Sequence, residues 1–600
     1  TNPQQFPDTP QRTRWYHPYG YVAGHTWAIN SSTTNNFRYG LTRLAVSDQG
    51  DTAGNFIFFR FVYEPTTESY TTSRVNPVHN ITDDFSWIKG DHTMQFGTNI
   101  RVVRNQRAEF GPGFDRALTN PFFYQSSGQV LIDPIVAAGY TILSNNDDLK
   151  AALTAVVGRF SQYTARFNFD LSGQPIESGV PLVREFATEE YDVYAQDMWK
   201  ISQNLTLTYG IRYGLSKPVY ETQGFMAKPN IPLGEYLQRR IEAANRGENY
   251  TELITVNLTD QFYNWDKNNF QPRVAFAWSP DFGENWFGRL VGRNGKSVIR
   301  GGFAITNDYF GQQLAVTFNS QNMLGFSSAQ TTPANSFNVT TRPAPLFTGF
   351  GQAIRPLPLV TVPGTLTFPQ QRSANFARRI ESSLDGTLVS PINYTWNVSF
   401  QRDLPAGLFV EAAYIGRSAG NLLAGRDAVQ PNLNFTDPAS RQTWIQAATI
   451  LEIARAAGAA VSSIGPQPFF ENLYSGLGAR LATGLSDPAF AGLTNTQAVY
   501  RLASSYNAND WTTTQDDLDA LSGRRLFYQP QYGALAVYST IASSDYHGAT
   551  LSIRQRFLRS KCAGSQAAAG GLGLRRAPRR ERQCRLASPD RSRQDVADRR

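Results

Sequence analysis

Five histidines are the residues best suited by type to metal binding or acid–base catalysis, and they are scattered along the chain. They are His17, His25, His79, His92 and His547. Neither an HExxH motif nor a pair at metal-ligand spacing connects them. No serine, histidine and aspartate triad can be argued from spacing either. We interpret these histidines as isolated surface or turn residues.

Two short motifs echo known binding loops without completing them. Asp516, Asp517 and Asp519 lie close together, but the glycine and the distal glutamate of a calcium loop do not follow. The motif at 295–297, Gly-Lys-Ser, ends like a phosphate-binding loop, yet Leu290 stands where the leading glycine belongs. A solvated loop and a β-hairpin turn are the preferred interpretations. The sequence therefore predicts no catalytic, cofactor-binding or metal-binding residue, no cofactor and no enzyme activity.

Side chains that suit ligand binding are present but point to no particular site. Four tryptophans in or near long loops could stack on sugars or other flat molecules, although loop packing is the preferred interpretation of each: Trp265, Trp286, Trp444 and Trp511. Four Asn-x-Ser/Thr motifs begin at Asn80, Asn204, Asn257 and Asn397. Several lie inside predicted strands, so alternating polar positions explain them better than glycosylation. The ligand-binding residues stay unknown.

The elements that must position these side chains are β-hairpins, and residues 83–103 form the clearest one. On its second strand Met94, Phe96 and Ile100 alternate with polar or small residues. A period of two puts alternate side chains on opposite faces of a strand. Lys89-Gly90-Asp91-His92 supplies the turn, because glycine accepts positive φ.

The same pattern predicts three further hairpins and two final strands. The hairpins cover residues 190–213, 269–309 and 393–414, and the final strands cover 532–540 and 546–557. The apolar run at 56–63 is either a strand covered on both faces or a segment near a membrane edge. About sixteen strands are predicted in total.

Long connections separate these hairpins, at 105–190, 214–265, 311–385 and 416–530. Helical spacing of apolar residues predicts short helices at 147–160, 234–245 and 444–461. The region 311–385 is rich in Pro, Thr, Ser and Asn and is predicted to be loop. Connections of this length are usually functional.

The distribution of charge and cysteine separates residues 1–560 from residues 561–600. The formal net charge is +8, but the last forty residues hold eleven Lys or Arg and four Asp or Glu. The rest is nearly neutral, with 45 basic and 44 acidic residues, and so nucleic acid is not an expected partner. Both cysteines, Cys562 and Cys584, lie in the basic segment, which we predict to be a disordered or frameshifted tail.

Composition and alternation together favour a sheet that crosses a membrane. No apolar run approaches the roughly 18 residues of a membrane-spanning helix. Charged residues are 17% and aromatic residues 13%, which suits β-structure. Strands of about ten residues joined by alternately short and long connections are typical of a transmembrane β-barrel with aromatic girdles. The candidate girdle residues are Tyr191, Tyr194, Trp199, Tyr209, Tyr213, Trp396 and Tyr414.

Five motifs in order resemble a known family over residues 30–560. They are NITDDFSWIKGDHTMQFGTNIR, YDVYAQDMWKISQNLTLTYGIRY, NNFQPRVAFAWSP, GKSVIRGGFAITNDYF and YTWNVSFQRDLPAGLFVEAAYIG. They resemble the barrel of TonB-dependent outer-membrane receptors, and most of all the Oar-like subgroup. The resemblance implies an all-β fold, a large antiparallel transmembrane barrel of 22 strands whose long loops carry a few short helices.

The resemblance also implies a plug domain, a TonB box and C-terminal strands with a terminal aromatic residue. None of these is visible, so residues 1–560 are expected to be a partial barrel. The implied partners are outer-membrane lipid, the TonB complex through the missing N-terminal region, and an unknown solute, either an oligosaccharide or a metal chelate. The expected location is the outer membrane.

Three functions are compatible with the sequence. The first is the barrel portion of a TonB-dependent transporter for a scarce solute. The second is an Oar-like surface or adhesion protein without a transport cycle. The third is a soluble β-rich carbohydrate-binding protein, which would not need detergent.

Overall fold

The computed structural model describes most of the chain in thirteen segments. They are residues 13–50, 54–60, 62, 71–121, 129–141, 146–292, 295–311, 314, 325–332, 336–337, 343–374, 379–507 and 509–555. The predicted tail at 561–600, with both cysteines, lies outside these residues.

Strands form most of the described structure. The first eleven are β1 (Thr13–Tyr16), β2 (Tyr19–Asn30), β3 (Thr33–Gln49), β4 (Phe56–Phe59), β5 (Thr72–Lys89), β6 (His92–Glu109), β7 (Arg116–Thr119), β8 (Gln162–Asn168), β9 (Leu182–Ser202), β10 (Leu205–Ser216) and β11 (Tyr220–Glu221). The others are β12 (Ala227–Pro229), β13 (Thr255–Leu258), β14 (Phe270–Trp278), β15 (Ser297–Asn307), β16 (Ser327–Thr332), β17 (Gln370–Gln371), β18 (Ile380–Leu384), β19 (Ile392–Leu404), β20 (Leu408–Asp427) and β21 (Ala534–Gln555).

Eleven long strands form one continuous antiparallel sheet, which we call the wall. Their order is β2-β3-β5-β6-β9-β10-β14-β15-β19-β20-β21. Three short strands extend it: β1 beside β3, β11 beside β9, and β18 parallel to β21. Each wall strand pairs with the next wall strand along the chain, so the wall is a meander of hairpins. All four predicted hairpins are confirmed, with register pairs such as Phe85 with Phe96 and Tyr209 with Asp197.

The two faces of the wall differ in chemistry, as the alternation predicts. On β9 and β10 one face carries Tyr191, Val193, Tyr209 and Ile211, each more than 40% exposed. We call this the apolar face. The opposite face, the polar face, carries charged, hydroxyl and small residues at the alternate positions of the same strands.

The two ends of the wall differ in their connections. The connections β2–β3, β5–β6, β9–β10, β14–β15 and β19–β20 lie at one end, called the turn end, and the longest of them covers residues 279–296. At the other end, the loop end, five connections cover residues 50–71, 110–181, 217–269, 308–391 and 428–533. Strands β5, β9 and β21 have 18, 21 and 22 residues. Because about ten tilted residues are enough to cross a bilayer, each of these strands is long enough to cross one and to continue at its loop end.

The long connections are folded. They contain the sheets β16-β8-β7-β4 and β12-β13-β17. Their helices are α1 (Gln129–Ala137), α2 (Asp147–Val157), α3 (Leu233–Arg246), α5 (Trp444–Ala456), α6 (Pro468–Leu473), α7 (Leu477–Gly484), α8 (Asn495–Arg501) and α9 (Trp511–Leu521), while α4 (Trp286–Val291) lies at the turn end. No described helix has both the length and the apolar character needed to cross a membrane.

Several predictions need correction. The described residues contain 21 strands, more than the sixteen predicted, and eleven of these form the wall. The two final strands are one continuous strand, β21. The region 311–385 contains β16, β17 and β18, so it is not all loop. The run at 56–63 contains the loop strand β4, which agrees with its interpretation as a covered strand. The three predicted helices are confirmed as α2, α3 and α5.

Candidate functional site

Asp84 is the centre of a charged group on the polar face of the wall. Arg38 on β3 pairs with its Oδ2 at 3.0 Å, and the Tyr194 hydroxyl on β9 donates to its Oδ1 at 2.7 Å. The ring of Tyr194 lies over Gly97 on the intervening strand, where a Cβ would collide with it. Glycine at this position therefore lets an aromatic ring lie flat against the sheet.

A second polar group lies on the same face, closer to the loop end. Arg101 pairs with Glu190 at 3.0 Å, and the Tyr309 hydroxyl donates to Asp192 Oδ1 at 3.4 Å. Gly214 leaves the space that the Tyr309 hydroxyl occupies. Side chains from β3, β5, β6 and β9, and from the loop after β15, thus form hydrogen-bonding groups on the polar face.

Small side chains leave a hollow beside these groups. Its volume is about 410 Å³, and its lining includes Thr206, Thr208, Ala275, Asn397 and Ser399. Arg300 lies at its border and contacts Gln401. Hydroxyl and amide groups beside small apolar side chains suit transient contact with a polar solute, whereas this group of residues offers no nucleophile next to a base.

The folded connections cover the loop end above this face. Residues 428–533, which we call the helical subdomain, contain five helices around the buried side chain of Trp444. Trp444 packs edge-on against Phe469, Phe470 and Phe527, with ring centroids 4.7–5.9 Å apart. The subdomain therefore has a hydrophobic core of its own.

Arg240 on α3 joins the helical subdomain to its neighbours. Its side chain is 1% exposed. It donates to the carbonyl oxygens of Ala428 at 3.3 Å, Gln430 at 2.9 Å and Phe527 at 2.9 Å. These acceptors lie where the chain enters and leaves the subdomain, so one guanidinium fixes both connections.

Three of the five histidines lie on the apolar face and have hydrogen-bond partners. His92 Nδ1 is 2.6 Å from Asp197 Oδ2, which also accepts from the Tyr209 hydroxyl at 3.0 Å. His79 and His547 are each 2.8 Å from a tyrosine hydroxyl, those of Tyr39 and Tyr414. Their interpretation as isolated residues is wrong for these three. No group of three or more metal-ligating side chains occurs among the described residues.

The structure separates the four tryptophans. Trp444 is 2% exposed, and Trp511 packs on the same core while its indole Nε1 donates to Glu452 at 3.1 Å. Trp265 is half-buried in the connection 217–269. Trp286 is 74% exposed and lies at the turn end. Loop packing, the preferred interpretation, holds for Trp444 and Trp511, while Trp286 does not lie with the long loops.

The other candidate motifs are structural. The aspartates at 516–519 lie in α9, so the solvated-loop interpretation is wrong. Asp519 is 2% exposed and accepts backbone N–H groups of Leu526, Phe527 and Tyr528. Burial raises its pKa to about 6. Ser297 begins β15, which agrees with a turn before it.

The four Asn-x-Ser/Thr motifs lie in different surroundings. Asn80 and Asn397 lie on the polar face of β5 and β19, as alternation predicts. Asn204 lies in the β9–β10 turn, and Asn257 lies in β13, within a small loop sheet. Polar alternation therefore explains two of the four motifs.

One predicted girdle residue is wrong. Tyr194 lies on the polar face, whereas Tyr191 and Trp199 lie on the apolar face, 42% and 37% exposed. Positions 191 and 194 differ by an odd number, so they belong to opposite faces of a strand. Position parity was the signal that separates Tyr194 from the girdle. Asp197 and Tyr209 meet His92 across neighbouring strands, and sequence reasoning missed this group because it depends on register.

Comparison with known proteins identifies the family and a distant likeness of fold. The sequence model of the family described as "Outer membrane beta barrel domain" matches residues 1–561. A search of curated proteins finds no match.

Three solved structures illustrate a distant similarity. The ferric yersiniabactin uptake receptor FyuA from Yersinia pestis has a TM-score of 0.28 at 5% identity, over 70% of this chain and 40% of that one. The copper transporter OprC has a TM-score of 0.29 at 6% identity, over 68% of this chain and 46% of that one. The RagAB peptide importer has a TM-score of 0.26 at 8% identity, over 91% of this chain and 45% of that one. The chain thus spans less than half the length of each.

Proposed function

This chain belongs to the outer-membrane β-barrel domain family, and on that premise we propose that it is the barrel portion of a TonB-dependent transporter. The protein lies in the outer membrane, so its apolar face contacts lipid and its polar face lines the lumen. The observation that carries the proposal is the position of the loops. Five folded connections lie together at one end of a wall whose polar face continues below them.

In this proposal the folded loops capture a scarce solute, an oligosaccharide or a metal chelate, outside the cell. The solute then passes the lumen groups around Asp84 and Asp192, which exchange hydrogen bonds with it. Energy would reach the receptor through TonB and a plug domain, which the resemblance to TonB-dependent receptors implies upstream of the barrel. We propose no catalytic role for the chain.

The test is uptake by cells that carry the complete receptor gene. We would measure accumulation of a labelled maltodextrin and of a labelled ferric chelate, with TonB intact and inactivated. The proposal expects accumulation of one of them to fall to the background of a receptor-deletion strain when TonB is inactive. Accumulation that is equal in all three strains for both probes contradicts the proposal for these solutes.

A second candidate is the Oar-like surface or adhesion protein, and the outward face of α5 supports it. Ile445, Ile450 and Ile453 are 44–65% exposed on one helix of the helical subdomain. Exposed apolar patches of this kind often mark protein contacts. Here cell–cell adhesion would fall in the deletion strain and stay unchanged when TonB is inactive. The outer-membrane location excludes the soluble alternative.

A further inference from the structure

Three arginines follow one another across the wall near its loop end. Arg74 on β5 pairs in register with Arg107 on β6, which pairs with Arg184 on β9. We call these residues the arginine row. Directly opposed residues on neighbouring strands have Cβ atoms about 5 Å apart. By strand parity all three side chains belong to the face that carries Asp84 and Asp192.

The two inner members of the row are buried with unused donors. Arg107 is 8% exposed and Arg184 is 2% exposed. Nε and Nη1 of Arg107, and Nε and Nη2 of Arg184, have no hydrogen-bond partner among the described residues. A buried guanidinium with unpaired N–H groups is costly.

The known contacts of the row leave positive charge in excess. Arg107 pairs with Glu109. Arg184 donates to the carbonyl oxygen of Val183 at 2.7 Å and lies over the Phe225 ring, with its guanidinium carbon 3.7 Å from the ring centroid. Burial lowers the pKa of Arg184 to about 10, an effect that the charge of Glu221 only partly opposes. This residue lies beyond the membrane-spanning part of β9.

A cavity of about 250 Å³ opens onto the row. Its lining includes Arg14, Arg74 and Arg107, together with Asp48 and Glu109. Arg14 already pairs with Asp48 at 2.6 Å. Three cations therefore face two carboxylates, each of which has an arginine partner. Arg74, one of these three cations, has an exposed side chain.

Polar groups continue below the cavity on the same face. Asn105 lies two positions before Arg107 on β6, and Asn76 lies two positions after Arg74 on β5. Asn105 is 1% exposed. Its Nδ2 and Oδ1, and the Oδ1 of Asn76, have no hydrogen-bond partner within the described part of the chain. The unused hydrogen-bonding groups thus extend from the row into the lumen.

We propose that the arginine row binds an oxyanion, a carboxylate or phosphate group carried by the solute that enters the barrel. A guanidinium presents paired donors that match such a group and stays charged at neutral pH. Like charges opposite one another destabilise a sheet, and a bound anion removes that cost. The inference rests on the proposed transport function and narrows its solute to an anionic one.

The test is anion binding by the purified full chain in detergent micelles. Inorganic phosphate and succinate would each be titrated against a background of sodium chloride at constant ionic strength, with the thermal unfolding midpoint as readout. We expect one of the two anions to raise the midpoint in a saturable manner. Because each substitution removes one charge-assisted contact, the affinity for that anion should fall at least about tenfold in Arg74→Gln and in Arg107→Gln.

Arg417→Gln is the matched control, because Arg417 is an exposed arginine on the same face and lies on β20, away from the arginine row and outside the hollow beside Arg300. This control variant should bind the anion with an affinity within about twofold of that of the wild type. Arg74→Gln alters an exposed side chain, so it carries the test even where Arg107→Gln does not fold. The inference falls if neither anion acts saturably, if Arg74→Gln binds the anion like the wild type, or if Arg417→Gln weakens anion binding equally.

The outcome of this anion titration does not depend on transport, because the purified protein is measured without TonB. Saturable anion binding at the arginine row, together with uptake by cells that does not depend on TonB, would refute the proposed function but not the anion site. TonB-dependent uptake in cells with no anion effect on the purified chain would refute the site alone.

Discussion

The wall and the helical subdomain obey different physical rules, although one chain forms both. Each wall strand has lipid on one side and a polar lumen on the other, so its residues alternate with period two. The helical subdomain surrounds its own core at Trp444, outside the membrane. Its helix α5 carries isoleucines on its outward face as well. Strong sequence patterns therefore arise where two media meet, and weaker ones arise where a small domain packs on itself.

The largest effect should come from removing the centre of the helical core. Trp444→Ala deletes a buried ring that contacts Phe469, Phe470 and Phe527. We expect the subdomain to lose about 4 kcal/mol of local stability. Amide hydrogen exchange would show faster exchange across 444–527 and unchanged exchange in the β9–β10 hairpin. Ile453→Ala, on the exposed side of the same helix, should change neither; faster exchange in the hairpin would mean that the two regions are one folding unit.

A smaller effect should follow from releasing the junction between the two regions. Arg240→Leu leaves the carbonyl oxygens of Ala428, Gln430 and Phe527 without their buried donor. The expected cost is about 3 kcal/mol. Limited proteolysis should then cut within 428–430 or near 527, ahead of the subdomain core. Arg239→Ala, an exposed neighbour on α3, serves as the control, and equal cleavage in both variants would contradict the role of Arg240.

The stability of the helical subdomain should also depend on pH. The pKa of Asp519 is about 6 in the folded protein, raised from 3.8 by burial. Folding therefore strengthens proton binding, and this stabilisation is complete below pH about 4 and lost as the pH rises through about 6. The local stability of 511–528 should fall by about 2–3 kcal/mol over that range. Amide hydrogen exchange at several pH values, corrected for intrinsic exchange rates, measures this local stability. If the same pH dependence persists in Asp519→Asn, another group is responsible for it.

The smallest predicted effect lies in the wall. Gly97→Ala places a methyl group against the Tyr194 ring and 2.8 Å from Asp84 Oδ1. Overpacking of this kind should cost about 1–2 kcal/mol, measured from the unfolding midpoint in micelles. Gly40→Ala on β3 is the control, because its nearest atoms are 4.0 Å away. In a double-mutant cycle, Gly97→Ala should lower the free energy of unfolding by less in the Tyr194→Ala background than in the wild type.

The sequence predicted the hairpins of the wall because alternation is repeated and each turn has its own chemistry. It predicted that Met94, Phe96 and Ile100 share a face, and the register confirms this. It did not separate Tyr194 from the girdle, although position parity contains that information. Residues that meet only across strands, such as His92 with Asp197, depend on register, which local sequence does not specify.

The loop regions were predicted less completely for a different reason. Their strands are short and pair with distant segments, as β8 does with β16, so no local period indicates them. The helical subdomain had signals that composition alone obscured. Thr443 with Gln446 and Thr494 with Gln497 form capping boxes, and this spacing before an apolar run marks a helix start. The arginine row had no local signal, since its members are 33 and 77 residues apart in sequence.

The direction of the outermost wall strands sets a rule of parity. In a meander of eleven strands, β2 and β21 both run from the loop end to the turn end. Direct pairing of these two edges, within one chain or between two copies related by a rotation about the barrel axis, would join parallel strands. An entirely antiparallel closure therefore takes an odd number of additional strands, and any even number leaves one parallel seam.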